Sequence, residues 1–358
     1  MSSLAKGEAV WDGAKSEWFR LKAFVVGASA DQPGSSKINK MTGVQGYRGC
    51  RFCMIRACYK EQPSGSSRKS TPYFPLRTPR PLRAAAVNQL RPHRYHPYRL
   101  PLRTHDMYCD HVSTLAHLDL RGTATARRLK STELGIQSLT PLAFSPAFVH
   151  PWFFPLDAFH LFSYNTFEAI WDVLDERVSA EDPDVFTSSE KRNFGRLVET
   201  ASVDLPGDFG KVPRDPHKKA NSQYRMVEWI SVFHYYLGPY LHSLGSDRDF
   251  LTMLLYLLDG IATTMQEPGL RQTDVGTVRQ SMAHFCHAWE RLYIGDDASL
   301  LSRARMSLHL LLHVAESTIQ VGNMRSSSQG ACERLIGSVK SDLRSRKARY
   351  ANLVRRTL

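Results

Sequence analysis

Only one stretch of this chain reads as a β-strand. Residues 18–28, WFRLKAFVVGA, are short and rich in aromatic and β-branched side chains, the pattern of a buried strand. One strand cannot be a sheet, because its backbone N–H and C=O groups need lateral partners. Those partners must come from irregular regions of the chain or from sequence encoded upstream. Asp31 to Gly49 reads as loop, and the compact segment CRFCMIRACY follows it.

Most of the remainder is helical in pattern. From about residue 106 the apolar residues recur at helical spacing. In LDAFHLFSYNTFEAIWDVLDE (156–176), Phe159, Phe162, Phe167, Ile170, Trp171 and Leu174 fall near a 3.6-residue period. Further helices are expected over QYRMVEWISVFHYYLGPYL, RDFLTMLLYLLDGIATTM, TVRQSMAHFCHAWERLYI and LLSRARMSLHLLLHVAESTIQVG. The last element, ACERLIGSVKSDLRSRKARY, is an amphipathic helix ending in a basic tail. Residues 62–105 differ from everything around them. They hold nine Lys/Arg, no Asp or Glu, and prolines at 63, 72, 75, 79, 81, 92, 97 and 101, which forbids regular helix or central strand. That segment is expected to be extended and irregular, or else a solvated linker.

The charge balance points to a class of partner. A net charge of +13 favours polyanions, above all nucleic acid. Hydrophobic content of 42% and charged content of 23% are ordinary for a soluble globular protein. Six cysteines, at 50, 53, 58, 109, 286 and 332, are too few for a disulfide framework and suit a reducing compartment. The N-terminus lacks the apolar core of a secretion signal, and no apolar run reaches about 18 residues, so no transmembrane helix is expected. The expected location is nuclear or cytoplasmic, with no membrane partner. No phosphate-binding loop, dinucleotide fingerprint or nucleophile elbow is present, which argues against P-loop NTPases, Rossmann dehydrogenases and α/β-hydrolases.

Three sets of residues could carry chemistry. Cys50 and Cys53 in GCRFC have the spacing of a zinc knuckle, where two thiolates on a tight turn share one tetrahedral ion. The other ligands could come from His93, His96 or His105, with Cys58 and Cys109 as further options, and an incidental Cys pair is the plain alternative. His309 and His313 are spaced i, i+4 in HLLLH. They could bind metal, but no Glu follows the first His, and they read as core or interface histidines. Asp31, Asp157 and Glu333 are the most suggestive acids. Each also has a plain role, as a loop residue, an N-cap or a first-turn acid on a helix. Together, Asp31 and Glu333 have the arrangement of two-metal nucleases, in which carboxylates from distant segments hold Mg²⁺.

Taken in order, the motifs resemble CACTA-type (En/Spm-like) DNA transposases and their fungal Plavaka-like relatives. The similar segments are LKAFVVGASADQPGSSKINKMTGVQGYRGCRFCMI, YRLPLRTH, LGIQSLTPLAFSPAFVHPWFFPLDAFHLFSYNTFEAIWDVL, MVEWISVFHYYLGPYL, LHLLLHVAESTIQVGNM and CERLIGSVKSDLRSRKARYANL. They span about residues 15–355. The resemblance implies an α+β, predominantly helical fold: a partial RNase H-like core interrupted by a large helical insertion, with a small Cys/His knuckle. Residues 1–49 would be the core remnant, 50–110 the knuckle and basic Pro-rich segment, 111–322 the insertion, and 323–358 the C-terminal core helix and basic tail. Asp31 and Glu333 would be the second and third catalytic carboxylates and the Mg²⁺ ligands. Cys50, Cys53 and His105, with His96 as a further ligand, would form a structural zinc site. Asp157 and His160 match a D-x-M-H block.

The family's first catalytic Asp precedes this segment, and its P-A after the second Asp is P-G here. The implied protein is therefore N-terminally truncated and catalytically incomplete. The alternatives are a domesticated DNA- or protein-binding module and a zinc-stabilised helical scaffold. DNA phosphates would meet Arg77, Arg80, Arg83, Arg91, Arg94, Arg99 and Arg103 in the basic segment, and Lys340, Arg344, Arg346 and Lys347 in the tail. A homo-oligomer is compatible with this reading.

Overall fold

The structure is a computed structural model that describes residues 5–59, 71–79, 93–175, 185–206, 212–219, 224–266 and 269–342. Among these residues the fold is predominantly helical, with two small two-stranded sheets. No helix among them is long and apolar enough to cross a membrane.

The first sheet is an antiparallel hairpin of β1 (Glu8–Asp12) and β2 (Glu17–Leu21), with Trp11 opposite Trp18. It corrects the expectation of a buried strand at 18–28. Every residue of β2 is exposed, and residues 22–31 run on without ladder partners. Phe24 and Val26 stand 51% and 77% exposed. The apolar composition of this stretch was legible, but burying a strand needs a sheet beside it, and the described residues form none there. An RNase H-like sheet is thus not formed among the described residues. The second sheet pairs β3 (Cys58–Tyr59) with β4 (Pro72–Tyr73).

Asp31 does not end a strand. It caps α1 (Gln32–Ile38), accepting a hydrogen bond from Gly34 N at 2.7 Å, with Pro33 in the first turn. The loop expected over 31–49 therefore begins with a short helix. Next comes the Cys-bearing turn, then α2 (His105–Arg121) and α3 (Ala124–Leu134), capped by the Thr104 and Thr123 hydroxyls. Gly135 closes α3 in the left-handed conformation (φ 74°), where a Cβ would lie 2.3 Å from the Arg48 carbonyl. This close approach seats α3 on the Cys turn. Tyr108, Leu115, Leu134, Ile136, Phe148, Phe153 and Phe154 form a minor core here.

The main core belongs to the later helices. A π-helical stretch, Phe159–Thr166, runs into α4 (Phe167–Leu174). Phe167 stacks on Phe233 at 4.2 Å, and Trp171 packs among Phe186, Phe194 and Trp229. The helix α5 (Ser188–Ala201) supplies Phe194 and Val198, and α6 (Met226–Ser231) supplies Trp229. Two long helices, α7 (Arg248–Met265) and α8 (Gln272–Tyr293), form the largest packed pair. The α7 N-terminus is capped by Asp247, and Phe250, Met253, Leu254, Leu257 and Ile261 form its buried stripe. Gly260 lets α8 approach, since a Cβ there would meet the Met282 methyl at 2.9 Å. Against this pair pack a 3₁₀ turn at Leu311–His313, which follows α9 (Met306–Leu310), and α10 (Val314–Val321), while α11 (Gly330–Asp342) is exposed along nearly all of its described length.

The Cys turn and part of the basic segment belong to this same core. Cys50, Phe52, Cys53, Ile55, Phe74 and Leu76 are buried in one cluster with the helices. Where it is described, the basic segment is irregular as its prolines require, yet it is packed rather than a solvated linker. Phe74 N donates to Ala304 O at 2.7 Å, and Tyr95 N to Leu76 O at 2.7 Å.

Candidate functional site

The C-x-x-C turn and the H-x-x-x-H segment meet in the interior. Cys50, Cys53, His309 and His313 are all buried, and their four ligand atoms lie within 4.8 Å of one another. Cys50 Sγ is 3.5 Å from His313 Nε2, and Cys53 Sγ is 3.3 Å from His309 Nε2. The two Nε2 atoms are 3.3 Å apart. Zinc bonds of about 2.3 Å to sulfur and about 2.05 Å to nitrogen, at tetrahedral angles, require S···N edges of about 3.5 Å and N···N edges of about 3.3 Å. Three of the cluster's edges, 3.5, 3.3 and 3.3 Å, come within a few tenths of an ångström of these. Two sulfur ligands and two imidazole nitrogens converge on one buried point, a donor set that suits Zn²⁺. A divalent cation satisfies all four, so the cluster could hold a metal such as Zn²⁺. Four protein ligands leave no open coordination position, which suits a structural ion.

Local packing fixes the ligands. The His313 ring stacks on Phe52 at 5.3 Å, and the His309 ring on Phe74 at 6.3 Å. The Nδ1 atoms of both histidines have no hydrogen-bond partner among the described residues, so ring stacking rather than hydrogen bonding aims the Nε2 atoms. Burial opposes ionisation of Cys50, but its contact with Cys53 and the nearby His313 and His309 outweigh that and hold its thiol well below the ordinary range. Burial pushes Cys53 the other way. Burial also lowers His309, favouring the neutral imidazole that ligates metal.

Two buried arginines flank the thiols. Arg103 donates to Cys50 O at 3.0 Å and Arg48 O at 3.2 Å. Arg51, inside the C-x-x-C, donates to Phe154 O at 3.0 Å, Pro155 O at 2.8 Å and the Gln32 side chain. Burial lowers each to about 10, a range in which both remain charged.

These contacts correct the expected ligand set. His96 is exposed and stacks with Tyr98, and His105 faces Cys109 and accepts from His150 N. Cys58 is engaged with Thr78. The missing half of the site was the histidine pair read as core residues. The i, i+4 spacing was its signal, but no local pattern pairs residue 50 with residue 313.

Arg51 leads from the metal centre to a second cluster. Asp157 is 5% exposed and caps the π-helical stretch, accepting from Phe159 N at 3.0 Å as its N-cap reading expects. It also accepts from Gln329 N at 2.8 Å and from His160 Nδ1. His160 Nε2 lies 3.9 Å from Glu333 Oε1. The hydrogen bond to Asp157 raises the His160 pKa most; burial opposes it, and the charges of Asp157, Glu333 and Asp31 add to the rise. Three chain segments are tied together at this point. Ser29 Oγ donates to Ser327 O at 2.9 Å, and Ser327 Oγ to Leu156 O at 2.7 Å. Ser29, two residues before Asp31, is thus tied to the segment that leads to Glu333, whose carboxylate faces the Asp157–His160 pair. The adjoining π-helix has its freed carbonyls met by side chains, Asn165 on His160 O and Thr166 on Leu161 O, each at 2.7 Å.

The expected phosphate-binding residues divide. Arg94, Arg99 and Lys340 are exposed. Arg77 is exposed but paired with Asp296 at 2.8 Å. Arg103 is corrected: it is 3% exposed and committed to backbone carbonyls beside the metal centre. Arg80, Arg83, Arg91, Arg344, Arg346 and Lys347 lie outside the described residues.

No protein-family model matches this chain, and no curated protein matches it.

Proposed function

We propose that the chain is a transposase-derived protein of the CACTA type, with Asp31 and Glu333 as two carboxylates of a Mg²⁺-dependent DNA strand-transfer site. The observation that carries this reading is the tie between the two segments that bear these acids: Ser29 Oγ donates to Ser327 O at 2.9 Å, and Glu333 Oε1 lies 3.9 Å from His160 Nε2. Both acids were singled out from sequence, and the whole helical block lies between them. Mg²⁺, when bound at such carboxylates, activates an oxygen nucleophile for in-line attack on a phosphodiester. The chain's own residues would place the acids. Asp157 ties the segment before Glu333 through Gln329 N, and Arg51 ties Gln32 to the backbone just before Asp157. The Cys50–Cys53–His309–His313 centre, loaded with zinc, would hold Arg51 in place. Two carboxylates are fewer ligands than a two-metal site uses, so strand cutting by this pair alone is not expected.

The test is Mn²⁺ binding to the zinc-loaded protein, followed by paramagnetic resonance. Binding is expected, weakened at least tenfold in Asp31→Asn and in Glu333→Gln. Equal Mn²⁺ affinity in both variants would remove the assignment.

A second reading, a DNA- or protein-binding module without catalysis, is favoured by Asp31 being used as a helix cap. It expects no Mn²⁺ site, with salt-sensitive DNA binding retained.

A further inference from the structure

A groove of about 980 Å³ lies between the basic segment and the α7–α8 pair. Rings and guanidinium groups are prominent in its lining. Tyr95, His96 and Tyr98 come from the basic segment, and Tyr256, His284 and His287 from the two helices. Its aliphatic members contribute little: Leu76 and Met253 are 5% and 1% exposed. Tyr98, by contrast, is 44% exposed, with its ring 5.6 Å from that of His96. Across the groove Tyr256 and His284 sit edge to face at 4.7 Å.

Arg77, Arg94 and Arg291 line it together with three acids, Asp249, Asp296 and Glu290. Arg77 is bridged to Asp296 and Arg291 to Asp249, which fixes the two guanidinium planes, while Arg94 is exposed. The third acid, Glu290, is turned inward and accepts from Leu76 N at 2.6 Å and Arg77 N at 3.4 Å. A lipid or an aliphatic peptide would find little exposed aliphatic surface here. Flat rings beside guanidinium groups match the bases and phosphates of an unpaired strand, which are available for stacking only when the duplex is open.

We propose that this groove binds single-stranded nucleic acid, stacking bases on Tyr98 and His96 from one wall and on Tyr256 from the other, with Arg94 on the phosphates. It deepens the nucleic-acid reading above, resting on that reading only for the choice of a polyanion. Its place at the junction of the basic segment and the helices assigns that segment a defined task, the capture of an unpaired strand.

The experiment is fluorescence anisotropy of the zinc-loaded full chain with labelled dT12, with the matching duplex and with an abasic twelve-mer of the same charge. Binding is expected to rank dT12 above both others. Tyr98→Ala should weaken dT12 binding about 5- to 100-fold, the range for loss of one stacked base. Arg94→Ala should weaken it and lower the salt dependence, whereas Arg196→Ala, an exposed cation on α5, should leave it unchanged. Zinc content and circular dichroism confirm that each variant is folded. Equal affinity for dT12 and the abasic strand, or parental binding by Tyr98→Ala, overturns the proposal. So does poly-glutamate binding that depends on Tyr98 and Arg94 without dT12 binding, which would reassign the groove to an acidic protein segment. Loss of Mn²⁺ binding at Asp31 and Glu333 is read separately, so either proposal can fail alone.

Discussion

The Nε2 of His309 stands 3.3 Å from the Sγ of Cys53, across 256 residues of sequence. That contact joins the turn at the start of the chain to the helix behind α8. With its partner pair, Cys50 and His313, it makes the candidate metal site the junction between the Cys-bearing turn and the helical block.

One zinc per chain is therefore expected by elemental analysis. Co²⁺ in its place should show the visible absorption of a tetrahedral site with two thiolates. Cys50→Ser or His313→Ala should abolish stoichiometric binding, while His105→Ala and His96→Ala should retain it. Chelation should lower the unfolding midpoint by about 5 °C, since ligand at about a thousand times its dissociation constant contributes about 4 kcal/mol. Retention of the metal by His313→Ala would break the assignment.

Arg51→Met keeps the length of the side chain but strips donors from the carbonyls of Phe154 and Pro155. Two buried acceptors left bare should cost roughly 2–4 kcal/mol. Urea denaturation measures this directly. A loss under about 0.5 kcal/mol would mean that Arg51 does not couple the metal centre to the segment before Asp157.

Asp157 separates capping from charge. Asp157→Asn retains an oxygen for Phe159 N and Gln329 N, whereas Asp157→Ala retains neither. The alanine variant should lose about 1–3 kcal/mol and the asparagine variant less than half as much. Amide exchange over residues 327–333 should quicken in the alanine variant alone. Uniform exchange across parent and variants would show that Asp157 does not hold the segment bearing Glu333.

Burial raises the Glu290 carboxyl to about 7. The folded state thus binds this proton more tightly than the unfolded state, whose carboxyl titrates near its ordinary value. Below about pH 4.5 the group is protonated in both states and carries no penalty. As pH rises from there to about 7 the unfolded chain releases the proton first, and stability falls. Glu290→Gln should flatten that fall, seen as a smaller change in unfolding midpoint between pH 5 and pH 7. An unchanged slope would place the titration elsewhere.

The sequence by itself determined the helices and the half-sites. Periodic apolar residues set α7 and α8, Thr104 and Asp247 set caps, and prolines kept the basic segment irregular, because each of these is a short-range effect of backbone and neighbouring side chains. The C-x-x-C and H-x-x-x-H spacings were visible for the same reason. Their pairing was not, since ligand geometry depends on where two distant segments pack. Nor was the fate of residues 18–28, because a strand's burial is decided by its lateral partners rather than by its own composition. Asp31 shows both levels at once. Its place before Gln-Pro-Gly marks a helix cap locally, and only the packing of three segments around Asp157 and Ser327 ties its segment to the one bearing Glu333.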